Sequence, residues 1–402
     1  MSSREASFTS GEEGLKLKGM GTLKGRAPAF HRRPDLWRRV EELGRAAGEE
    51  VSALHEEPDP LPFRCWIYPA KGRGRAIPLF KVLLSNACKG HCLYCANRSG
   101  RDCPRWSLSP EELVQAFLRA QRAGLVEGLF LSSSIPEDPS RTMQQLVEAA
   151  ELLRFKYGFQ GYLHLKIMPG ASEDLIERTV ELADRVSVNL EAPGPERLRG
   201  ICPEKDFGGM LRQIEAVSRL LEEGFGRARG QTTQFVVGAA GEADREFLEL
   251  LPRLHQMGLK RCYFEAFRPV PGTPLEGHEP ASRLRQRRLY QAEFLLREYG
   301  FRPEELVLDE EGNLPQDLDP KLAWAMRHPE FFPVEVNRAE PEELLRVPGF
   351  GPRTVSKILH LRSRGKLRRE DLKGLPLKRA APFIMVDGKT YGSPLVQTHL
   401  FG

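Results

Sequence analysis

From Lys81 to Gly300 the chain alternates short apolar runs with longer amphipathic stretches, and few folds accommodate that pattern. Strands are predicted at VLLSNA (82–87), EGLFLSS (127–133), YLHLKIM (162–168), RVSVNLE (185–191), QTTQFVVG (231–238) and RCYFEAF (261–267). Each is followed by a stretch of helical period: 109–124, 140–158, 172–184, a segment within 205–224, 242–258 and 281–300. The first helix carries its own punctuation. Ser109 caps it, Pro110 takes its first position, Glu112 completes a capping box and Gly124 stops it. Strict alternation with crossover helices implies parallel strands in right-handed units. Six units without a reversal predict an α/β fold, a partial (β/α)6 barrel with its active site at the strand C-termini.

The flanks read differently. Residues 1–75 look irregular and basic, with one helix near 35–48, and Lys16 to Arg39 holds eight Lys/Arg against one acid. The barrel spans 76–301, a Pro- and acid-bearing connector 302–335, a small all-α module 336–386 and a tail 387–402. No apolar run approaches the roughly 20 residues of a membrane helix, and the polar start MSSREASFTSGEEG does not read as a signal peptide. A cytoplasmic protein with no membrane partner is the expectation.

Seven cysteines are present, an odd number, and three crowd into CKGHCLYC directly after the first strand. Cys88, Cys92 and Cys95 have the spacing C-x3-C-x2-C, and such clustering points to metal or catalysis rather than disulfides. Thiolates are the ligands of iron–sulfur clusters, and three of them leave one corner of a four-iron cluster open. A closed zinc site completed by His91 or Cys103 is the alternative reading. The motif after strand one of a six-unit array resembles the radical S-adenosylmethionine superfamily. That resemblance implies a 4Fe-4S cluster whose open iron takes the methionyl group of S-adenosylmethionine. It also implies a 5′-deoxyadenosyl radical that abstracts hydrogen, and a ferredoxin- or flavodoxin-type electron donor. Tyr94 matches the position that lies against the adenine.

A barrel mouth should collect polar groups at strand ends. Candidates for the cofactor are Ser132, Ser133 and Ser134 after the second strand, where the family often has Gly-Gly-Glu and this chain lacks the glutamate. The third strand offers His164 and Lys166, and the fourth Ser187, Asn189 and Glu191, which alternation puts on one face. The fifth offers Gln234 and Gly238, the latter as a point of close backbone approach to adenine. Cys65, Cys103, Cys202 and Cys262 match no motif position and read as ordinary small residues.

The stretch from Val336 to Gly402 carries 13 Lys/Arg against 6 Asp/Glu in a chain whose formal net charge is only +5. Within it, VPGFGPRTVSKI resembles the helix–hairpin–helix motif, which grips nucleic-acid backbone without reading bases. Gly349 and Gly351 permit the turn, the following helix opens its N–H groups to phosphate, and Arg353 and Lys357 stand beside it. FLSSS, GYLHLKIMPGAS, DRVSVNLEAP and this module together resemble, over about residues 76–386, the group labelled DNA modification or repair radical proteins. A nucleic-acid partner is expected, DNA ahead of RNA. The rival readings are a base-excision glycosylase, a non-enzymatic nucleic-acid-binding protein with a structural metal, and a radical enzyme acting on RNA or a metabolite.

Overall fold

The computed structural model describes residues 35–48, 65–71 and 76–392. The basic stretch from Lys16 falls mostly outside them, as does the tail beyond 392. Helix α1 (Leu36–Gly48) precedes strands β1 (Ile67–Lys71) and β2 (Ala76–Leu83). There follow α2 (Pro110–Arg122), β3 (Gly128–Ser132), α3 (Pro139–Glu151), β4 (Tyr162–Lys166), α4 (Glu173–Leu182) and β5 (Arg185–Ser187). Then come α5 (Pro195–Ile201), α6 (Phe207–Glu222), β6 (Gln231–Val237), α7 (Asp244–Gln256), β7 (Leu259–Ala266) and α8 (Arg283–Glu298). The seven strands form one sheet in the order β1-β2-β3-β4-β5-β6-β7. Pairings β2 through β7 are parallel and β1 is an antiparallel edge on β2. Sequential parallel order is that of an incomplete barrel, as expected, and it removes the all-helical glycosylase reading.

The first strand sits about six residues earlier than its apolar run suggested, because β1 supplies a partner for 76–80. β1 itself was missed inside a region read as irregular. β5 stops at Ser187 rather than 191; beyond it the next bridge to β6 is an isolated one at Glu191, whose backbone is left-handed (φ 64°). Helix α3 changes pitch at Leu152, where one π turn runs to Lys156. That turn aims Arg154 into the base of the barrel, where it donates to the carbonyls of Leu182, Phe159 and Gly161 and to Asp184 Oδ2. Between helices and sheet, Phe80, Phe117 and Phe159 meet edge-on, and Phe235, Phe247 and Phe264 form a second buried group.

The connector is not a linker. Leu314 N–H donates to Asp244 Oδ2 and Arg245 N–H to the Gly312 carbonyl, docking it on the start of α7. It then forms α9 (Pro320–Arg327), whose Trp324 is buried against Phe301 and Phe331. The C-terminal part contains β8 (Val334–Glu335), α10 (Pro341–Arg346), α11 (Pro352–Arg362), α12 (Leu377–Ala380), β9 (Ile384–Val386) and β10 (Lys389–Thr390). Strands β8 to β10 form a second sheet, so the expectation of an all-α module is corrected. The cause is local: Asp387 and Gly388 both have positive φ, the geometry of a two-residue hairpin, and Asp-Gly is its usual sequence.

Between α10 and α11 the turn at Val347–Gly351 is tight. Gly349 has φ +88° and needs glycine. Gly351 is extended (φ −118°), so its requirement is space and not backbone: a Cβ there would come 3.0 Å from the Tyr299 hydroxyl. Beneath the turn, buried Lys321 of α9 donates Nζ to the Phe350 carbonyl at 2.5 Å and lies 4.6 Å from the Tyr299 ring centroid. Burial lowers its pKa to about 7. In the unfolded chain that amine keeps its proton to about pH 10.4, so between the two values the unfolded state binds the extra proton. Stability contributed by this site therefore rises with pH from about 7 to 10. In urea titrations the wild type should gain about 4 kcal/mol relative to Lys321→Met over that range; a pH-independent difference between the two would refute the assignment.

Candidate cluster and cofactor site

A cavity of about 280 Å³ opens at the C-terminal ends of the strands. Cys88, Cys92 and Cys95 all line it, half-buried, as does Tyr94. The loop that carries them leaves β2, and its backbone groups find unusual partners. Arg105 donates Nη1 to the Asn86 and Asn97 carbonyls at 2.8 Å each, and Nη2 to those of Arg98 and Arg101 at 2.7 and 3.1 Å. Asn86 closes the base of the loop, donating to the Pro104 carbonyl and accepting from Trp106 N–H. With its carbonyls held, the loop turns N–H groups on the sulfurs: Gly90 N–H donates to Cys88 Sγ at 3.3 Å and Asn97 N–H to Cys95 Sγ at 3.4 Å.

Such N–H···S bonds favour thiolate over thiol. A hydrogen bond from Cys202, which retains its own proton, lowers the Cys92 thiol to about 7 against the burial that opposes it. Cys202, buried and read as an ordinary residue, thus touches the site; its Sγ is also 3.8 Å from the Tyr94 hydroxyl. The alternative fourth zinc ligands are turned elsewhere. His91 Nδ1 pairs with Glu204 Oε1 at 2.5 Å, and the Cys103 thiol lies 3.8 Å from the Ala96 carbonyl. Among the described residues no group of three or more His, Cys, Asp or Glu closes on a single ion. Three cysteine sulfurs around one cavity fit a multi-iron core, whose thiolates stand further apart than those on one ion.

The strand-end candidates divide. Ser133, Ser134, Lys166, Asn189, Glu191 and Gln234 line the cavity. Ser132, Ser187 and Gly238 do not. Ser132 is buried in the register of β3 with Leu83. Ser187 lies a layer deeper, its Oγ 3.0 Å from His164 Nε2, and burial followed by Arg185 holds that imidazole neutral, well below its usual pKa. Gly238 has φ +91° and gives its N–H to Glu242, and a Cβ there would come 2.8 Å from the Ala281 Cβ, so its close approach is to the segment before α8 rather than to a ligand.

Alternation does not explain Asn189 and Glu191, which lie beyond β5. Glu191 is placed instead by an isolated bridge to Phe235 of β6, and it pairs with Lys205 Nζ at 2.8 Å. Burial opposes the Lys205 charge, but Glu191 together with the Cys202 and Cys92 sulfurs outweighs it and holds the ammonium above its usual pKa. Lys205, Glu265, Arg268 and Phe267 also line the cavity and were not anticipated. Glu265 had a signal, as an acid at the inward period of the last strand. Lys205 had none, because it enters from the loop between α5 and α6.

Residues 82–254 match the Radical SAM superfamily. The tRNA-2-methylthio-N(6)-dimethylallyladenosine synthase of Thermus thermophilus is 24% identical over 204 residues, 49% of this chain and 42% of that protein. The threonylcarbamoyladenosine tRNA methylthiotransferase MtaB of Thermotoga maritima is 20% identical over 214 residues, 51% of this chain and 48% of that one. The chain thus spans less than half the length of these curated relatives. Among solved structures, methylornithine synthase (PylB) overlaps 54% of this chain and 60% of its own at TM-score 0.44 and 16% identity. A radical SAM methyltransferase from Sphaerobacter thermophilus overlaps 64% of this chain and 85% of its own at TM-score 0.41 and 16% identity.

Arg105 offers a direct check on the loop's construction. Arg105→Ala frees four carbonyls behind the cysteines, and iron retention against a chelator should weaken about ten-fold or more while the far-ultraviolet circular dichroism stays unchanged. Wild-type iron retention in that variant would contradict the clamp.

Proposed function

We propose that the radical SAM domain formed by residues 82–254 serves a nucleic-acid-modifying enzyme, in which the C-terminal unit docks the polymer beside the cavity. The domain makes the chain a radical SAM enzyme whose cofactors are a 4Fe-4S cluster and S-adenosylmethionine. When bound, the cluster supplies one electron that splits the sulfonium of S-adenosylmethionine and yields a 5′-deoxyadenosyl radical. The observation that carries this reading is the trio Cys88, Cys92 and Cys95 around one cavity, with backbone N–H groups on two of the sulfurs.

In this reading the remaining residues bind and orient. Tyr94 offers the ring against adenine. The Ser133 and Ser134 segment stands where the family's methionyl contact lies, without that family's glutamate. Lys166, Asn189, Glu191 and Gln234 surround the polar parts of the cofactor, with Lys205 holding Glu191 in place through their ion pair. Glu265 and Arg268, from the last strand and the loop after it, are left to face a substrate.

The helix–hairpin–helix reading of α10 and α11 rests on Arg353 and Lys357, both exposed, beside the turn that Lys321 supports. Such contacts hold phosphates and carry no sequence information. Duplex DNA in modification or repair is the first polymer to test. RNA is the second reading, favoured by the two relatives named for tRNA products.

Two measurements check this. Protein reconstituted anaerobically with iron and sulfide, then given S-adenosylmethionine and dithionite, should release 5′-deoxyadenosine by chromatography, and the Cys92→Ala variant should not. No product from wild type with about four irons per chain sinks the enzymatic reading. In gel shifts over a salt series with duplex DNA, single strands and tRNA, Arg353→Ala with Lys357→Ala should flatten the log–log salt slope by about 2 for the preferred polymer. Equal slopes for wild type and variant would remove the C-terminal unit from binding.

A further inference from the structure

We propose that Arg101 sets the reduction potential of the cluster through a single peptide plane. The inference rests on the cluster-binding reading of Cys88, Cys92 and Cys95. The peptide joining Ala96 to Asn97 lies between a thiolate and a guanidinium. On one side its N–H donates to Cys95 Sγ at 3.4 Å; on the other its carbonyl accepts from Arg101 Nη1 at 3.0 Å. A full positive charge on the oxygen polarises the amide and makes its N–H a stronger donor to sulfur. Donors to cluster sulfurs and nearby positive charge stabilise the more negative, reduced state, so they raise the potential.

Arg101 is held in that pose from its other edge. Its Nε donates to the Pro271 carbonyl at 2.9 Å, and the segment that includes Pro271 supplies Phe267, Arg268 and Val270 to the cavity wall. The neighbouring arginine does not duplicate the effect, since Arg105 takes the carbonyls of Asn86, Asn97, Arg98 and Arg101 and not that of Ala96. The Cys103 thiol is 3.8 Å from the Ala96 oxygen and, as a weak neutral donor, cannot replace a guanidinium. Arg101 is therefore a positioning residue: it touches neither the sulfurs nor the cavity, and it acts through Ala96 and Asn97.

The test is a redox titration of the full chain, reconstituted with iron and sulfide and reduced stepwise by dithionite, with the reduced cluster read by electron paramagnetic resonance. Arg101→Met removes charge and donor. At a fixed solution potential its ratio of reduced to oxidised cluster should fall about ten-fold, which for one electron is a shift of about 59 mV downward. Arg101→Lys keeps the charge and should recover most of that shift. Unchanged potentials in Arg101→Met at full iron content overturn the proposal. If Arg101→Met loses iron, Arg101→Gln decides, since it keeps a neutral donor toward Ala96: a downward shift supports the charge effect and wild-type potential refutes it. Failure of wild type to assemble a four-iron cluster is a separate result, and it removes the cluster reading itself.

Discussion

A loop that wraps three cysteines around one inorganic core must turn its N–H groups toward sulfur, which leaves its carbonyls pointing away with no strand or helix to receive them. Buried carbonyls without partners are costly. Here two arginines from the same loop resolve the problem: Arg105 collects four carbonyls and Arg101 a fifth. The cysteines are thereby presented by a braced backbone, and the arrangement of everything else around the cavity presupposes that bracing.

The sheet supplies the other half of the site. Parallel strands in sequential order bring the ends of β2 through β7 to one rim, so residues far apart in the chain line one cavity. The barrel stays open between β7 and β1 among the described strands. Acid and base are balanced within the rim, where Glu191 and Lys205 neutralise one another at 2.8 Å. An unpaired charge that deep would cost several kcal/mol, roughly, so each member depends on the other.

The C-terminal unit is joined to this body by packing rather than by a flexible tether. Trp324 of α9 sits against Phe301, and Lys321 one turn earlier supports the Val347–Gly351 turn from below. Tyr299, at the end of α8, fills the space that Gly351 leaves. Tyr299 thus ties the turn to the last helix of the barrel.

Local pattern determined a good deal. The period-two and period-3.6 runs located six parallel strands and their helices, and C-x3-C-x2-C located the three thiols at a strand end, because both signals are written in contiguous residues. The Asp387-Gly388 hairpin was equally legible and was overlooked. Tertiary structure alone decided the rest. Lys205 reaches Glu191 from an unpredictable loop, and Ser187 turns its hydroxyl to His164 rather than to the cavity. Arg101 and Arg105 find carbonyls whose direction no residue spacing reveals. Those contacts depend on how the chain turns between elements, and a sequence records which groups are available but not where irregular backbone aims them.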